Sequence, residues 1–252
     1  MQLTWYGTAS VELSGREGAI LFDPFLPLPG SAVETRAEDF DGASHIFVTH
    51  GHLDHIASLP EIVKRNPQAK VYCTQTPFRT LRKKGIPEKN LEQIAYNQCI
   101  HANGFLVRVR HSCHAVLPGV SGKRLLYILK SPERKNLLYL AKEHSVCREN
   151  GETVMYEIRA EGKTVLVMGS MNLRDDVEYP ENADVLVLPY NGWEDNYPPA
   201  VRTIERLKPA RILLDHYDDT FPPLTMPLDL SPLLQAYGPR IKALEHKKTE
   251  IL

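Results

Sequence analysis

The residues best suited to chemistry lie in one short stretch, Thr-His-Gly-His-Leu-Asp-His at positions 49–55, here called the His motif. Its candidate metal ligands are His50, His52, Asp54 and His55. A helix would turn His50 away from His52, and an extended strand would divide the candidates between two faces. A loop at the end of a strand can direct them to one point, and an apolar run at 46–48 directly precedes the motif. Because imidazole and carboxylate groups suit zinc and other divalent transition metals, the motif predicts a metal site.

The elements that must position this motif are short strands divided by turns, followed by strands that alternate with helices. The apolar patterns predict strands at 2–5, 11–13, 19–22, 45–48, 71–73, 105–110, 125–129, 154–160, 164–168, 185–188 and 212–214. They predict helices at 56–65, 78–84 and 201–207. The runs at 185–188 and 212–214 are entirely apolar, so we expect burial on both faces. This mixed order predicts an α/β layered fold with helices packed outside sheets.

Residues 131–150 interrupt this rhythm, because their composition predicts a helix placed between two strands. A surface insertion is the simpler interpretation, since long insertions are well tolerated. A lid or a dimer contact is the functional alternative. We expect one domain, 1–252, that carries this helical insertion.

Composition and charge narrow the classes of partner. Apolar residues make up 42% and charged residues 24% of the 252, as in ordinary globular proteins. The net charge of −1 argues against a nucleic-acid partner, and a basic cluster is better explained as a solvated helix face. That cluster is Arg79, Arg82, Lys83 and Lys84. Neither a signal peptide nor a membrane span is indicated, and four widely spaced cysteines suit a reducing compartment, so a cytoplasmic location is expected.

The His motif resembles the His-x-His-x-Asp-His signature of the metallo-β-lactamase superfamily. The segment 3–25, with its Gly-Thr-Ala-Ser turn and its Ile-Leu-Phe-Asp-Pro run, is similar to the branch of ascorbate-6-phosphate lactonases. The resemblance implies an αββα sandwich with a metal centre at one edge, between the two sheets. It implies one or two divalent ions, with zinc expected and manganese or iron as alternatives.

The resemblance also implies two sets of ligands. His50, His52 and a third histidine would hold the first metal, and Asp54, His55 and a late histidine the second. His111 is the favoured third ligand, because the family often has His-Ser after the corresponding strand, and His114 stays open as its alternative. The remaining assignments are His216 as the late ligand and Asp23 as a support that accepts a ring N–H from behind the motif. The histidines without a matching motif receive no function: His45, His101, His144 and His246.

One position departs from the family pattern. Ser170, in Gly-Ser-Met-Asn after the strand at 164–168, stands where the family has an Asp that bridges the two metals. A hydroxyl is a far poorer ligand than a carboxylate. We therefore expect two unequal metal positions and an occupancy nearer one ion per chain than two.

The function that this site predicts is hydrolysis by a metal-bound hydroxide, with Asp54 orienting that group and protonating the leaving group. The expected substrate is a small-molecule ester, lactone or phosphodiester. A non-catalytic metal-binding or sensing protein is the alternative that Ser170 favours. An RNA-processing nuclease is a further alternative, which the near-neutral charge disfavours. Membrane binding is not expected, and assembly into a homo-oligomer is left open.

Overall fold

The computed structural model describes residues 1–115, 122–191, 196–218, 220–225 and 228–252. The strands of the first sheet, in chain order, are β1 (Gln2–Trp5), β2 (Val11–Gly15), β3 (Gly18–Phe22), β4 (His45–Phe47), β5 (Lys70–Cys73), β6 (Leu91–Gln93) and β14 (Thr249–Ile251). Those of the second sheet are β7 (Cys99–Ala102), β8 (Phe105–His111), β9 (Val154–Ala160), β10 (Lys163–Met168), β11 (Val185–Pro189), β12 (Arg211–Asp215) and β13 (Ile241–Ala243).

The α-helices lie mostly in the connections between strands. They are α1 (Leu53–Ile56), α2 (Leu59–Arg65), α3 (Gln75–Lys83), α4 (Gly122–Lys130), α5 (Leu137–Val146), α6 (Tyr197–Leu207) and α7 (Ser231–Tyr237). Short 3₁₀ helices include one at Pro132–Asn136, directly before α5. Among the helices within the described ranges, none is long and apolar enough to cross a bilayer.

Each sheet has seven strands, and β-strand alternation divides the apolar residues into three layers. The sheet orders are β14-β1-β2-β3-β4-β5-β6 and β13-β12-β11-β10-β9-β8-β7. Ile20 and Phe22 of β3 face a central core that they share with Val165 and Val167 of β10. Leu21 faces the outer core beneath α1–α3, and residues of the opposite parity on β10 face the core beneath α6 and α7. Two sheets packed face to face with helices outside confirm the predicted αββα sandwich.

The predicted strands at 185–188 and 212–214 form β11 and β12, and both are buried on both faces, as expected for parallel neighbours inside a covered sheet. The strand predicted at 125–129 is wrong, because these residues lie in α4. A five-residue apolar run fits a strand and a helix equally well by pattern alone, and Leu125, Leu126 and Leu129 are more than half exposed. The helix predicted at 56–65 is two helices, α1 and α2, since the first begins inside the His motif.

The topology brings several strand ends to one edge of the sandwich. β3 and β4 run parallel in the first sheet, and β10, β11 and β12 run parallel in the second. β8 runs in the same direction as β10, because each is antiparallel to β9. The loops after their carboxyl ends therefore converge, which is where layered α/β folds place their ligands.

Candidate metal centre

The His motif occupies the loop after β4 and the short helix that follows. His52 has extended backbone and is the N-cap of α1, and Asp54 and His55 lie in the single turn of that helix. The predicted loop at a strand end is thus present, with one helical turn added. From that turn Asp54 and His55 both reach one point, where they meet His216.

Three imidazoles form the first ligand group. One nitrogen from each of His50, His52 and His114 lies within 4.8 Å of the others. The ring centroids of His52 and His114 are 4.5 Å apart, and His50 Nε2 is 3.2 Å from His52 Nδ1. Burial lowers the pKa of His52 to about 4 and lowers the pKa of His50 and of His114, so these rings are neutral near neutral pH. Neutral imidazole is the form that binds metal.

The structure places His114, and not the favoured His111, beside the other two imidazoles. His111 is the last residue of β8, where its ring stacks on Tyr96 with the centroids 3.8 Å apart, and its Nε2 lies 3.3 Å from the Gly151 carbonyl oxygen. The chain continues past the strand end before it reaches the site. His114 therefore completes the cluster, and its role as a metal ligand is part of the proposal below.

A carboxylate and two imidazoles form the second ligand group. Asp54, His55 and His216 place one ligand atom each within 4.8 Å of one another. Asp54 Oδ2 lies 3.0 Å from His216 Nε2 and 3.5 Å from His55 Nε2. His216 follows β12, as expected, and its backbone N–H donates to the Thr8 carbonyl oxygen of the Gly-Thr-Ala-Ser turn. The two groups adjoin, since the ring centroids of His50 and His55 are 3.9 Å apart.

Charge distinguishes the two groups. Burial disfavours the charged form of His55, but the carboxylates of Asp23 and Asp54 outweigh it and raise the pKa of His55 to about 10. Burial would raise the pKa of Asp54, yet the charge of His55 and a hydrogen bond from His216 bring it well below its usual range. A divalent ion at the second group would therefore displace a proton from His55, whereas the first group is already neutral.

Asp23 supports the motif from beneath, in the position that the sequence predicts. Its Oδ2 lies 2.8 Å from His55 Nδ1 and accepts a hydrogen bond from the Thr49 hydroxyl, and its Oδ1 accepts from the Thr49 backbone N–H. Its own backbone has a φ of 42°, a conformation that Asp tolerates better than most residues. Such a carboxylate fixes the orientation of the ring in front of it.

Ser170 follows β10, and its hydroxyl is hydrogen-bonded to the loop that carries His114 rather than to either ligand group. Its Oγ accepts a hydrogen bond of 2.8 Å from the Ala115 backbone N–H, and the side chain of Asn172 donates to the His114 carbonyl oxygen. Gly169, the residue before it, lines the site. A Cβ at Gly169 would lie 1.9 Å from Thr49 Oγ1, so only glycine fits there. The turn at 169–172 thus holds the loop that carries His114.

The ligand groups open into a cleft of about 130 Å³. Its described lining consists of both ligand groups together with Leu53, His144, Gly169, Asn191, Phe221, Leu224 and Thr225. His144, to which the sequence analysis assigned no function, lies on α5 with its ring centroid 6.3 Å from that of His52. A lone histidine in a helix gave no signal, because the contact spans more than ninety positions of the chain.

Contacts near both ends of the segment 131–150, which carries His144, hold this segment beside the site. Asn136 donates from its side chain to the carbonyl oxygens of Pro29 and Pro222, and Glu143 pairs with Lys84 of the basic cluster. At its far end the carbonyl oxygen of Arg148 would lie 2.1 Å from a Cβ at Gly51, inside the His motif. The segment 131–150 therefore forms one wall of the cleft.

The donor sets fit divalent transition metals. Three imidazole nitrogens match the ligands of mononuclear zinc hydrolases, and two imidazoles with a carboxylate match another common set. Nδ1 of His216 is buried without a hydrogen-bond partner among the described residues, which leaves ligating capacity on that ring. The sites are thus equipped for one or two ions.

A sequence profile described as "Beta-lactamase superfamily domain" matches residues 19–217, which contain the whole of both ligand groups. The chain belongs to this superfamily. It is similar to a UPF0173 metal-dependent hydrolase of Agrobacterium fabrum, with 29% identity over 116 residues, or 46% of this chain and 48% of that protein. A relative with the same description from Methylobacterium nodulans is 27% identical over 192 residues, or 75% of this chain and 72% of that protein.

Two solved structures share the fold of this chain. A metallo hydrolase from the archaeon Ignicoccus hospitalis superposes with a TM-score of 0.65 at 18% identity, over 99% of this chain and 97% of that one. Zinc-bound PqqB from Methylobacterium extorquens gives a TM-score of 0.61 at 16% identity, over 96% and 87% of the two chains. The chain spans about half the length of the Agrobacterium relative. The superfamily rests on the profile match, and the solved structures add the fold.

Proposed function

We propose that this chain is a metal-dependent hydrolase that cleaves an ester, lactone or phosphodiester bond in a small molecule. The observation that carries the proposal is the convergence of the two ligand groups at the floor of one cleft. The metal-dependent hydrolases among its relatives support a hydrolase. Zinc is the proposed ion, with manganese or iron as alternatives, and the likeness to ascorbate-6-phosphate lactonases stays a prediction from sequence.

The residues of the chain have distinct parts in this proposal. A divalent metal, when bound, acidifies a water molecule and polarises the bond to be cleaved. Asp54 is the proposed acid–base group, because its carboxylate faces the cleft between His55 and His216 and can hold a proton in transit to the leaving group. Asp23 keeps the ring of His55 oriented.

The test combines metal analysis with a panel of esters, lactones and phosphodiesters. We expect the purified chain to contain zinc and to hydrolyse at least one class. Asp54→Asn should lower kcat by about a hundredfold or more, the usual contribution of general acid–base catalysis. Asp175→Asn, at a fully exposed carboxylate, is the matched control and should retain activity.

A non-catalytic metal-binding or sensing protein is the second candidate, favoured by the neutral Ser170 where the superfamily pattern has a bridging carboxylate. Tight metal binding without turnover of any member of the panel would support it over the hydrolase. An RNA-processing nuclease is disfavoured, because the described lining of the cleft includes neither Lys nor Arg. A cytoplasmic location, a small molecule as partner and assembly into a homo-oligomer stay predictions.

A further inference from the structure

The part of the cleft that does not belong to the ligand groups has a marked chemical character. Its lining includes three apolar side chains, Leu53, Phe221 and Leu224. Asn191 and Thr225 add uncharged polar groups. We call the three apolar residues the apolar wall. Leu53 is 5% exposed and is held in α1, so its side of the wall is fixed by the His motif itself.

The other side of the apolar wall is also well supported. The ring of Phe221 meets Phe25 edge-on, with centroids 6.1 Å apart and planes at 83°, and it lies 6.4 Å from the ring of His216. The backbone beside it accepts a hydrogen bond from Asn136 through the Pro222 carbonyl oxygen. Leu224 packs against the outer core beneath α1–α3. A wall held in this way is preorganised to receive an apolar group.

The described lining of this cleft contains neither Lys nor Arg. Anionic substrates such as phosphodiesters are commonly held by Arg or Lys, which supply charge-assisted hydrogen bonds to phosphate oxygens. In the described lining the side chains outside the ligand groups are apolar or uncharged polar, with His144 at the rim.

We propose that the cleft selects an uncharged ester or lactone whose apolar group rests on the apolar wall. This inference rests on the proposed function and narrows its substrate class. Water adds its oxygen to the acyl carbon, the acyl C–O bond breaks, and the leaving oxygen takes a proton. An ester yields a carboxylic acid and an alcohol, and a lactone yields one hydroxy acid.

The test compares acyl length and charge in substrates that share a leaving group. The metal-loaded protein is assayed with p-nitrophenyl acetate, p-nitrophenyl hexanoate and bis(p-nitrophenyl) phosphate. The hexanoate has four more methylenes to bury than the acetate, so its kcat/KM should be at least about tenfold higher. Leu224→Lys should remove most of this preference and should raise the diester-to-ester ratio of kcat/KM about tenfold.

The control is Leu138→Lys, which adds the same charge on α5 at a leucine that is 85% exposed and outside the cleft lining. It should leave both ratios as in the wild type. The metal content of every variant is measured, so that a change in specificity is separated from a loss of ions. Equilibrium binding of an uncharged γ-lactone and of anionic diethyl phosphate to the wild type gives a readout besides turnover, and the lactone should bind more tightly.

Failure of this inference and failure of the proposed function give different results. If esters are hydrolysed without a preference for the longer acyl group, or if Leu224→Lys leaves the ratios unchanged, the apolar wall does not select the substrate and the inference is wrong, while the hydrolase stands. Turnover of the diester alone would overturn the inference in the same way. If no substrate is turned over, the hydrolase fails, and preferential binding of the lactone or of diethyl phosphate still decides which class the cleft accepts.

Discussion

At the scale of single residues, the position of His114 depends on hydrogen bonds made by its neighbours. The N–H of Ala115 donates to Ser170, and the N–H of Cys113 donates to the Asn172 carbonyl oxygen. The sequence predicted five of the six side chains in the two ligand groups, because each follows a strand or lies within the His motif. For the sixth it favoured His111, whereas the structure places His114 in the group, since the path of a loop depends on such long-range hydrogen bonds rather than on local pattern.

His114→Ala should therefore weaken metal binding at the first ligand group, because a site of three imidazoles loses one of its donors. We expect an affinity lower by at least about tenfold in competition with a chelator, in line with the loss seen when even outer-shell partners are removed. The matched control is His111→Ala, whose ring stacks on Tyr96 instead. Loss only in the control would return the ligand assignment to His111, and equal loss in both variants would contradict a role for His114 alone.

Ser170→Asp tests the bridging position. Two unit charges about 4 Å apart interact with about 4 kcal/mol at an effective dielectric of 20, so added negative charge beside two dications should strengthen the weaker site. The new carboxylate can still accept from the Ala115 N–H with one oxygen. We expect the wild type to retain nearer one ion than two after dialysis and the variant to retain more. Two tightly held ions in the wild type, with no gain in the variant, would mean that another group fills this role.

At the scale of elements, the structure of the segment 131–150 was predicted in part from its sequence. The helix within 131–150 was predicted, as were most strands whose ends carry ligands. The position of this segment beside the cleft was not predicted, because Asn136 and Glu143 hold it there through contacts with residues far away in sequence. The four short edge strands β6, β7, β13 and β14 were also missed. They have three or four residues and little apolar alternation, which leaves too weak a period to detect.

Glu149 fastens the turn between α5 and β9 and should make its stability depend on pH. Its carboxylate accepts hydrogen bonds from the N–H groups of Gly151 and Thr153 and from the Thr153 hydroxyl. Burial raises its pKa, but these bonds outweigh burial and bring the pKa below the ordinary 4.5. The carboxylate therefore stabilises the fold above that value, and the contribution is lost as the pH falls through the lowered pKa.

Glu149→Gln keeps one acceptor and loses the other, so it should cost about 1 kcal/mol of unfolding free energy near neutral pH. The difference from the wild type should vanish once the pH is below the lowered pKa of Glu149. Urea unfolding at several pH values measures both effects. Glu178→Gln, at an exposed carboxylate, is the control and should be close to wild type throughout. A cost that does not change with pH would show that packing, rather than charge, fixes this turn.

At the scale of the whole molecule, the metal centre lies where both sheets end. Asp54 comes from the first half of the chain and His216 from the second, and Tyr156 of β9 donates to the Val48 carbonyl oxygen beside the His motif. The layered fold was predictable, because the resemblance supplied the architecture and the apolar runs supplied its buried strands. The three-layer core explains why these strands are apolar throughout. Each interior strand packs one face against the other sheet and the other face against the helices.

A metal held by residues from both halves should stabilise the folded chain as a whole. Binding that is specific to the folded state contributes about 2.7 kcal/mol when the free ion is at a hundred times its dissociation constant. We expect thermal unfolding of the zinc-loaded protein to occur several degrees above that of the chelator-treated protein. The increase should be smaller in His114→Ala. Identical transitions with and without zinc would argue against a site that joins the two halves.

The closeness of Gly51 to the Arg148 carbonyl oxygen has a consequence for how this chain can vary. Gly51 has no side chain, and a methyl group there would lie 2.1 Å from the backbone oxygen of Arg148. The His motif and the segment 131–150 therefore pack closely at this point, and a larger residue at position 51 requires a change in the backbone of that segment. In a library randomised at position 51, survivors should carry glycine unless the backbone near 148 has also been altered. Grafting the segment 131–150 onto a related protein should succeed only where that protein also has glycine at the position equivalent to Gly51.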